Sequence, residues 1–239
     1  MLELKNVAYS VEEKGQKKHI LKNISFQADE RFTVLTGPNG SGKSTLAKII
    51  AGVIKPTEGK IFLDGRDVTD SNVTERARAG ISFAFQQPVR FKGLTVRDLI
   101  ELSAGEKLSE DRLCNVLSKV GLCAREYIDR EVSTSLSGGE IKRIEIATVL
   151  ERPSRLAVFD EPEAGIDLWS FNSLISVFEE LRKKQNKTLV IISHQERILS
   201  VADEIVVVSD GEVTNQGPCD KVLPTLLNSE KCELCPKLG

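Results

Sequence analysis

Lys43, Ser44, Asp160 and Glu161 are the side chains on which phosphate chemistry in this sequence would turn. The first two close Gly37-Pro38-Asn39-Gly40-Ser41-Gly42-Lys43-Ser44, which fits the phosphate-cradling pattern G-x-x-x-x-G-K-[ST]. Its glycines let the backbone curl so that successive N–H groups point at nucleotide phosphates. Lys43 would reach the β- and γ-phosphates, and the Ser44 hydroxyl would ligate Mg²⁺. Asp160 and Glu161 end an apolar run, where ligand sites of parallel sheets collect. Adjacent carboxylates on a strand point to opposite faces, so their tasks differ. Asp160 would hold Mg²⁺ through its water shell, and Glu161 would act as general base on the attacking water. Further along, Leu136-Ser137-Gly138-Gly139-Glu140 opens a segment with Ile141, Ile144, Ala147 and Leu150 at helical spacing. Helix N-termini bind anions, and glycines there permit close approach, although taken alone such a segment is more often simply a capped helix start.

The elements that must position these groups are legible around them. Arg31 to Thr36 is β-rich and leads into the glycine loop, and Thr45 to Ala51 follows as a helix with Gly52 as its stop. Residues 1 to roughly 35 read as β-structure broken by the polar turn Glu12 to Lys18. Ile61–Leu63 reads as a short strand, and Ile81–Phe85 as another stopped at Gln86-Gln87-Pro88. From Thr95 to about Leu150 the spacing is helical, with Cys114 and Cys123 read as packing residues. Leu156–Phe159, Leu189–Ile192 and Ile205–Val208 are continuous apolar runs, as buried parallel strands require, and Trp169 to Lys183 is an amphipathic helix. Strands alternating with helices imply an α/β fold whose mostly parallel sheet is covered on both faces.

Bulk properties narrow the function classes. Hydrophobic content of 40% with 28% charged residues is that of an ordinary globular chain. A net charge of −2 with both signs interspersed gives no footprint for nucleic acid. No run of apolar residues is long enough to insert in a membrane, and Met1 to Val7 lacks the layout of a signal peptide. An odd number of cysteines, 5, points to reduced thiols and a cytoplasmic home.

The two glycine motifs, in this order and followed by Asp160-Glu161, resemble the ATP-binding-cassette (ABC) ATPases over nearly the whole chain. The resemblance implies a P-loop fold with a RecA-like sheet core, an N-terminal antiparallel β subdomain and an inserted helical subdomain. It makes the chain a single domain, 1–239: a nucleotide-binding core in 1–87 and 151–215, a helical subdomain in 88–150, and a cysteine-containing tail in 216–239. It implies ATP and Mg²⁺ as cofactors, with Thr45 joining residues 37–44 on the phosphates. Ser137, Gly138 and Gly139 would contact the γ-phosphate of ATP held by a second copy, giving an ATP-dependent homodimer. Gln86 resembles the glutamine that senses Mg²⁺ and the γ-phosphate, with Gln87 beside it as a competitor for the assignment. Asp167, in Ala164-Gly165-Ile166-Asp167, would bridge the dimer interface; His194 resembles the switch histidine; Tyr9 is the candidate to stack on adenine.

Within the family, compact length disfavours DNA-repair and translation-associated cassettes. Phe83 to Val89 with Gly93, Ser137 to Arg143 and His194 to Leu199 resemble the SufC-like ATPase of the SUF iron–sulfur cluster assembly machinery. Glu145 also stands where transporters usually carry a small residue. Pro162, Ala202 to Ile205 and Asp210 to Val213 instead read like transporter sequence. The SUF resemblance implies a soluble scaffold partner; the alternative is an ABC permease. Cys219, Cys232 and Cys235 form a weak metal or cluster signal, set against the plainer reading of reduced thiols on a frayed terminus.

Overall fold

The computed structural model describes residues 1–13, 15–29, 32–133, 135–183 and 187–233, with the side chains of 168, 169 and 228–233 outside the description. Strands β1 (Leu2–Glu13) and β2 (Gln16–Ala28) open the chain as a long antiparallel hairpin. The chain reverses within the polar stretch at 12–18, as expected, but the turn is narrower than that stretch, because Glu12 already pairs with Lys17 and Glu13 with Gln16. That end of the hairpin is exposed on both faces, so the ladder forms without an apolar side. Strand β3 (Phe32–Thr36) runs into the glycine loop and helix α1 (Lys43–Ala51). Gly52 ends α1 at φ 78°, its N–H on the Ile49 and Lys48 carbonyls. Then come β4 (Glu58–Leu63), β5 (Arg66–Asp67), α2 (Val73–Arg78) and β6 (Ile81–Ala84).

The middle of the chain is helical, with α3 (Val96–Ala104), α4 (Glu110–Lys119), α5 (Ala124–Tyr127) and α6 (Gly138–Glu151). Thr95 and Asp98 start α3 with a reciprocal capping box, each side chain taking the other's backbone N–H. On α4 the inward positions go to Leu113, Val116 and Leu117, which leaves Cys114 exposed. Cys123, just before α5, is exposed too, so neither thiol is the packing residue its surroundings suggested. The remainder is β7 (Leu156–Asp160), α7 (Leu168–Lys183), β8 (Thr188–Ile192), α8 (Glu196–Leu199), β9 (Glu204–Ser209), β10 (Glu212–Pro218) and α9 (Cys219–Glu233). The C-terminal segment through residue 233 is therefore a strand and a helix, docked through buried Val222.

Two sheets result. One is antiparallel, in the order β2-β1-β4-β5; the other runs β10-β9-β3-β8-β7-β6, parallel except for β10. Alternate residues of the parallel strands serve two cores. Ala157, Phe159, Leu189 and Ile191 face the helices α3, α4, α6 and α7. Leu156, Val158, Val190 and Ile192 face α1 and the antiparallel sheet. This alternation is why these strands read as unbroken apolar runs. Phe178 of α7 meets Phe159 edge-on at 5.2 Å and Phe32 at 6.0 Å, an arrangement worth about 0.5–1.5 kcal/mol per pair beyond burial. Among the described residues no helix is long and apolar enough to cross a membrane.

Candidate nucleotide site

The glycine loop sits where β3 ends, and its shape depends on missing side chains. Gly37 has φ 135°, and a Cβ there would fall 2.0 Å from the Val208 carbonyl oxygen. At Gly42, with φ 98°, a Cβ would fall 2.6 Å from the Leu21 side chain. At Gly37 no other residue type fits without moving β9, and at Gly42 the left-handed backbone itself favours glycine. Gly42 is also the N-cap of α1, so no side chain covers the first N–H groups of this helix. Among the described residues no acid stands in its first turn. The end is electrostatically positive and open, as an anion site requires. The Lys43 ammonium folds back over the loop, donating to the Gly37 and Pro38 carbonyls at 2.7 Å each. Burial pushes its pKa down, and the Glu161 and Asp160 carboxylates pull it back up.

Ser44 brings the loop to the end of β7 by donating its hydroxyl to Asp160 Oδ1 at 3.0 Å. Asp160 is 2% exposed, and burial raises its pKa against the opposing Ser44 hydrogen bond. A hydroxyl and a desolvated carboxylate side by side suit a hard divalent cation, which takes oxygen ligands and would offset the burial of the charge. Mg²⁺ fits this pair. Glu161 follows at φ 45°, a left-handed conformation that costs a residue with a Cβ about 1–2 kcal/mol. Its N–H bonds the Ile192 carbonyl at 3.0 Å, and its Oε2 accepts from Gln86 Nε2 at 2.6 Å. Lys43, Ser44, Asp160, Glu161 and Gln86 are thus one connected constellation, as their sequence motifs anticipate.

The second glycine motif is built differently. Ser137 caps α6, its hydroxyl accepting from the Glu140 N–H at 3.3 Å while Glu140 Oε2 accepts from the Ser137 N–H at 2.7 Å. The Tyr127 hydroxyl bonds the other Glu140 oxygen. Tyr127 and Ser137 together hold the Glu140 pKa at about 2. Gly139 packs so closely on the loop at Gly165 that a Cβ would lie 2.7 Å from its carbonyl oxygen. Arg143 donates to Ser170 Oγ at 2.9 Å, and Ser170 in turn to Asp167 Oδ2 at 2.7 Å. Asp167 also accepts the Ser170 N–H at 3.0 Å, holding the start of α7.

The remaining expected residues are less closely joined to the constellation. His194 is exposed just past β8, its imidazole bearing electrostatically on Glu163. Tyr9 is half-buried on β1 opposite Leu21 of β2, and it is β2, through the Leu21 side chain, that borders the glycine loop at Gly42. The Cys219 thiol donates to the Leu199 carbonyl at 3.2 Å, and burial raises its pKa. The Cys232 side chain and Cys235 lie outside the described residues. Among the described residues no group of three or more His, Cys, Asp or Glu side chains converges as a metal cluster.

Several residues that shape the site had no role assigned from the sequence. Glu163 accepts from Ser193 Oγ at 2.5 Å beneath the His194 loop. Lys142 and Glu145 of α6 grip the backbone at Phe85. Arg76 is 1% exposed and donates to the Ile49 carbonyl at 2.5 Å, Ile50 at 2.8 Å and Thr69 at 2.9 Å. Burial lowers its pKa to about 10. For Lys142 and Glu145 the available signal was a charge on the otherwise apolar face of α6; Glu163, in the turn after β7, and Arg76, on the polar helix α2, carried none.

Comparison with known proteins agrees with this geometry. Residues 21–164 match the family model described as ABC transporter. An uncharacterised ABC transporter ATP-binding protein of Methanocaldococcus jannaschii is 40% identical over 209 residues, 84% of this chain and 83% of the relative. An energy-coupling factor transporter ATP-binding protein of Mesomycoplasma hyopneumoniae is 35% identical over 226 residues, 91% of this chain and 80% of the relative. Among solved structures, a dimeric ATP-binding cassette in a post-hydrolysis state with ADP and Pi superimposes with a TM-score of 0.83. It is 27% identical and covers 92% of this chain and 99% of its own. The chain belongs to the ABC transporter ATPase family, which binds ATP with Mg²⁺ and hydrolyses it.

Proposed function

We propose that this chain is the ATP-hydrolysing subunit of a membrane transporter, closing as a dimer on ATP and parting after hydrolysis to move a docked permease. The observation that carries the reading is the continuity from Ser44 through Asp160 and Glu161 to Gln86, and from there to an apolar groove. Backbone N–H groups of residues 37 and 39–45 receive the phosphates, and Lys43 exchanges the Gly37 and Pro38 carbonyls for phosphate oxygens. Ser44 and Asp160 hold Mg²⁺, which when bound neutralises phosphate charge. Glu161 takes the proton of the attacking water, with Gln86 and His194 orienting groups around it. Tyr9 stacks on adenine. Ser137, Gly138 and Gly139 of a second copy close over the nucleotide, with Asp167 beside the seam.

The groove, about 350 Å³, is lined among others by Phe85, Val89, Phe91, Leu94, Leu99 and Leu102. Phe91 is 42% exposed and Leu102 68%, unusual for side chains of that size clustered together. Its occupant in this reading is an apolar-faced helix of a membrane subunit. The names of the relatives favour a transporter.

A second reading, a SufC-like ATPase acting on a soluble iron–sulfur scaffold, is favoured by one observation: Glu145, at a position transporters usually give a small residue, is used to hold Phe85. Affinity purification of the tagged protein from its native host separates the two. A polytopic membrane protein in the eluate supports the transporter. A soluble scaffold carrying iron and sulfide would replace it with the second reading, and would give Cys219, Cys232 and Cys235 a candidate role in metal or cluster binding.

A further inference from the structure

Lys142 and Glu145 stand one turn apart on α6, 3.7 Å from each other, with side chains 1% and 15% exposed. Their polar ends straddle Phe85, the first residue beyond β6. Glu145 Oε1 accepts the Phe85 N–H at 2.9 Å. Lys142 Nζ donates to the Phe85 carbonyl and, at 3.4 Å, to that of Gln86. The ladder between β6 and β7 ends at Ala84 and Phe159, so Phe85 takes its backbone partners from this pair of charges.

Satisfying one peptide does not require ions. Burying two charges carries a desolvation penalty that their attraction offsets only partly, and neutral side chains or water would serve the peptide as well. Burial accordingly pushes Lys142 down and Glu145 up, both toward neutrality. Glu145 Oε2 is buried and, among the described residues, without a hydrogen-bond partner, which adds to the penalty. What the arrangement gains is a fixed Phe85 backbone. Because Gln86 is the next residue, its side chain then starts from a fixed point, and its Nε2 lies 2.6 Å from Glu161. Phe85 and Glu145 also line the groove, so the pair stands between that surface and the carboxylate.

We infer that Lys142 and Glu145 are positioning residues for hydrolysis: together they set Gln86 against Glu161 and tie the helix of the second glycine motif to the hydrolytic carboxylate. The inference rests on the proposed roles of Glu161 and Gln86.

Steady-state ATPase kinetics of the full chain test it, using Lys142→Met, Glu145→Gln, Gln86→Ala and each pair variant combined with Gln86→Ala. Misplacing a group by about 1 Å can lower a rate on the order of a hundredfold, so each pair variant is expected to lose roughly tenfold to a hundredfold in kcat with KM for ATP little changed. In the Gln86→Ala background the same changes should lower kcat hardly further, because their effect passes through Gln86. Additive losses, or a loss confined to KM, would overturn the inference. Glu145→Gln keeps an acceptor for the Phe85 N–H, so it carries the test where Lys142→Met fails to fold. If Gln86→Ala and Glu161→Gln themselves hydrolyse ATP at the parent rate, the reading beneath falls, a result distinct from additivity.

Discussion

Two helices of this protein begin in glycine motifs, and their N-termini are finished in opposite ways. At α1 the cap is Gly42, no side chain covers the first turn, and Lys43 adds a positive charge over the loop. At α6 the Ser137–Glu140 capping box is complete and Tyr127 reinforces it. The first end is left for a ligand to satisfy; the second satisfies itself in the single chain. Under the proposed function, this difference is what would let one chain carry two halves of a nucleotide site. The half that binds first must be open, whereas the half that waits for a second copy must be stable alone. An anion approaching α6 meets the Glu140 carboxylate already on the helix end, which in the single chain opposes it.

The largest expected effect tests whether the two ends ever meet. Glu161→Gln should lower turnover on the order of a thousandfold, within the range for a lost general base, while retaining ATP. Size-exclusion chromatography should then show an ATP-dependent dimer; hydrolysis at the parent rate would remove Glu161 from its role. Lys43→Ala strips the charge from the open end alone. Losing charge-assisted hydrogen bonds should weaken ATP binding roughly tenfold to a hundredfold by calorimetry, and unchanged affinity would mean the cradle is misassigned.

Ser137→Ala strikes the self-capped end. It should destabilise the protein by about 1 kcal/mol, seen as a melting temperature lower by roughly 2–4 °C without nucleotide. An unchanged melting temperature would make the two ends alike. The smallest effect is in the pH dependence of Glu140→Gln. The Glu140 pKa is lowered in the fold from 4.5 to about 2. Its contribution is therefore present in full above pH 4.5 and lost as pH falls toward 2. The stability gap between parent and variant, measured by denaturant titration, should close over that window; a gap constant with pH would assign it to packing.

How much of this was legible depended on range. The strand, loop and helix around Gly37 to Ala51 could be read because glycine spacing and apolar periodicity are local signals. Asp160 and Glu161 were placed by the apolar run before them. The turn of the β1–β2 hairpin was read too wide because ladder hydrogen bonds need no apolar face, which a hydropathy pattern cannot register. Cys114 was misplaced because α4 spans less than three turns, too short for periodicity to separate neighbouring positions. Glu145 stood out as a charge, yet its partner backbone lies 60 residues earlier, a pairing made only when α6 packs on β6. The same holds for Arg76 and the end of α1.

Arg76 has a mechanical consequence. The helix that receives the phosphates is pinned at its far end by a buried guanidinium reaching its last carbonyls and, through Thr69, the segment beside β5. A load applied at the glycine loop therefore passes down α1 as along a strut and is shared with the antiparallel sheet. The open end of α1 and the segment beside β5 are thus braced together, so a change at one is opposed by the other.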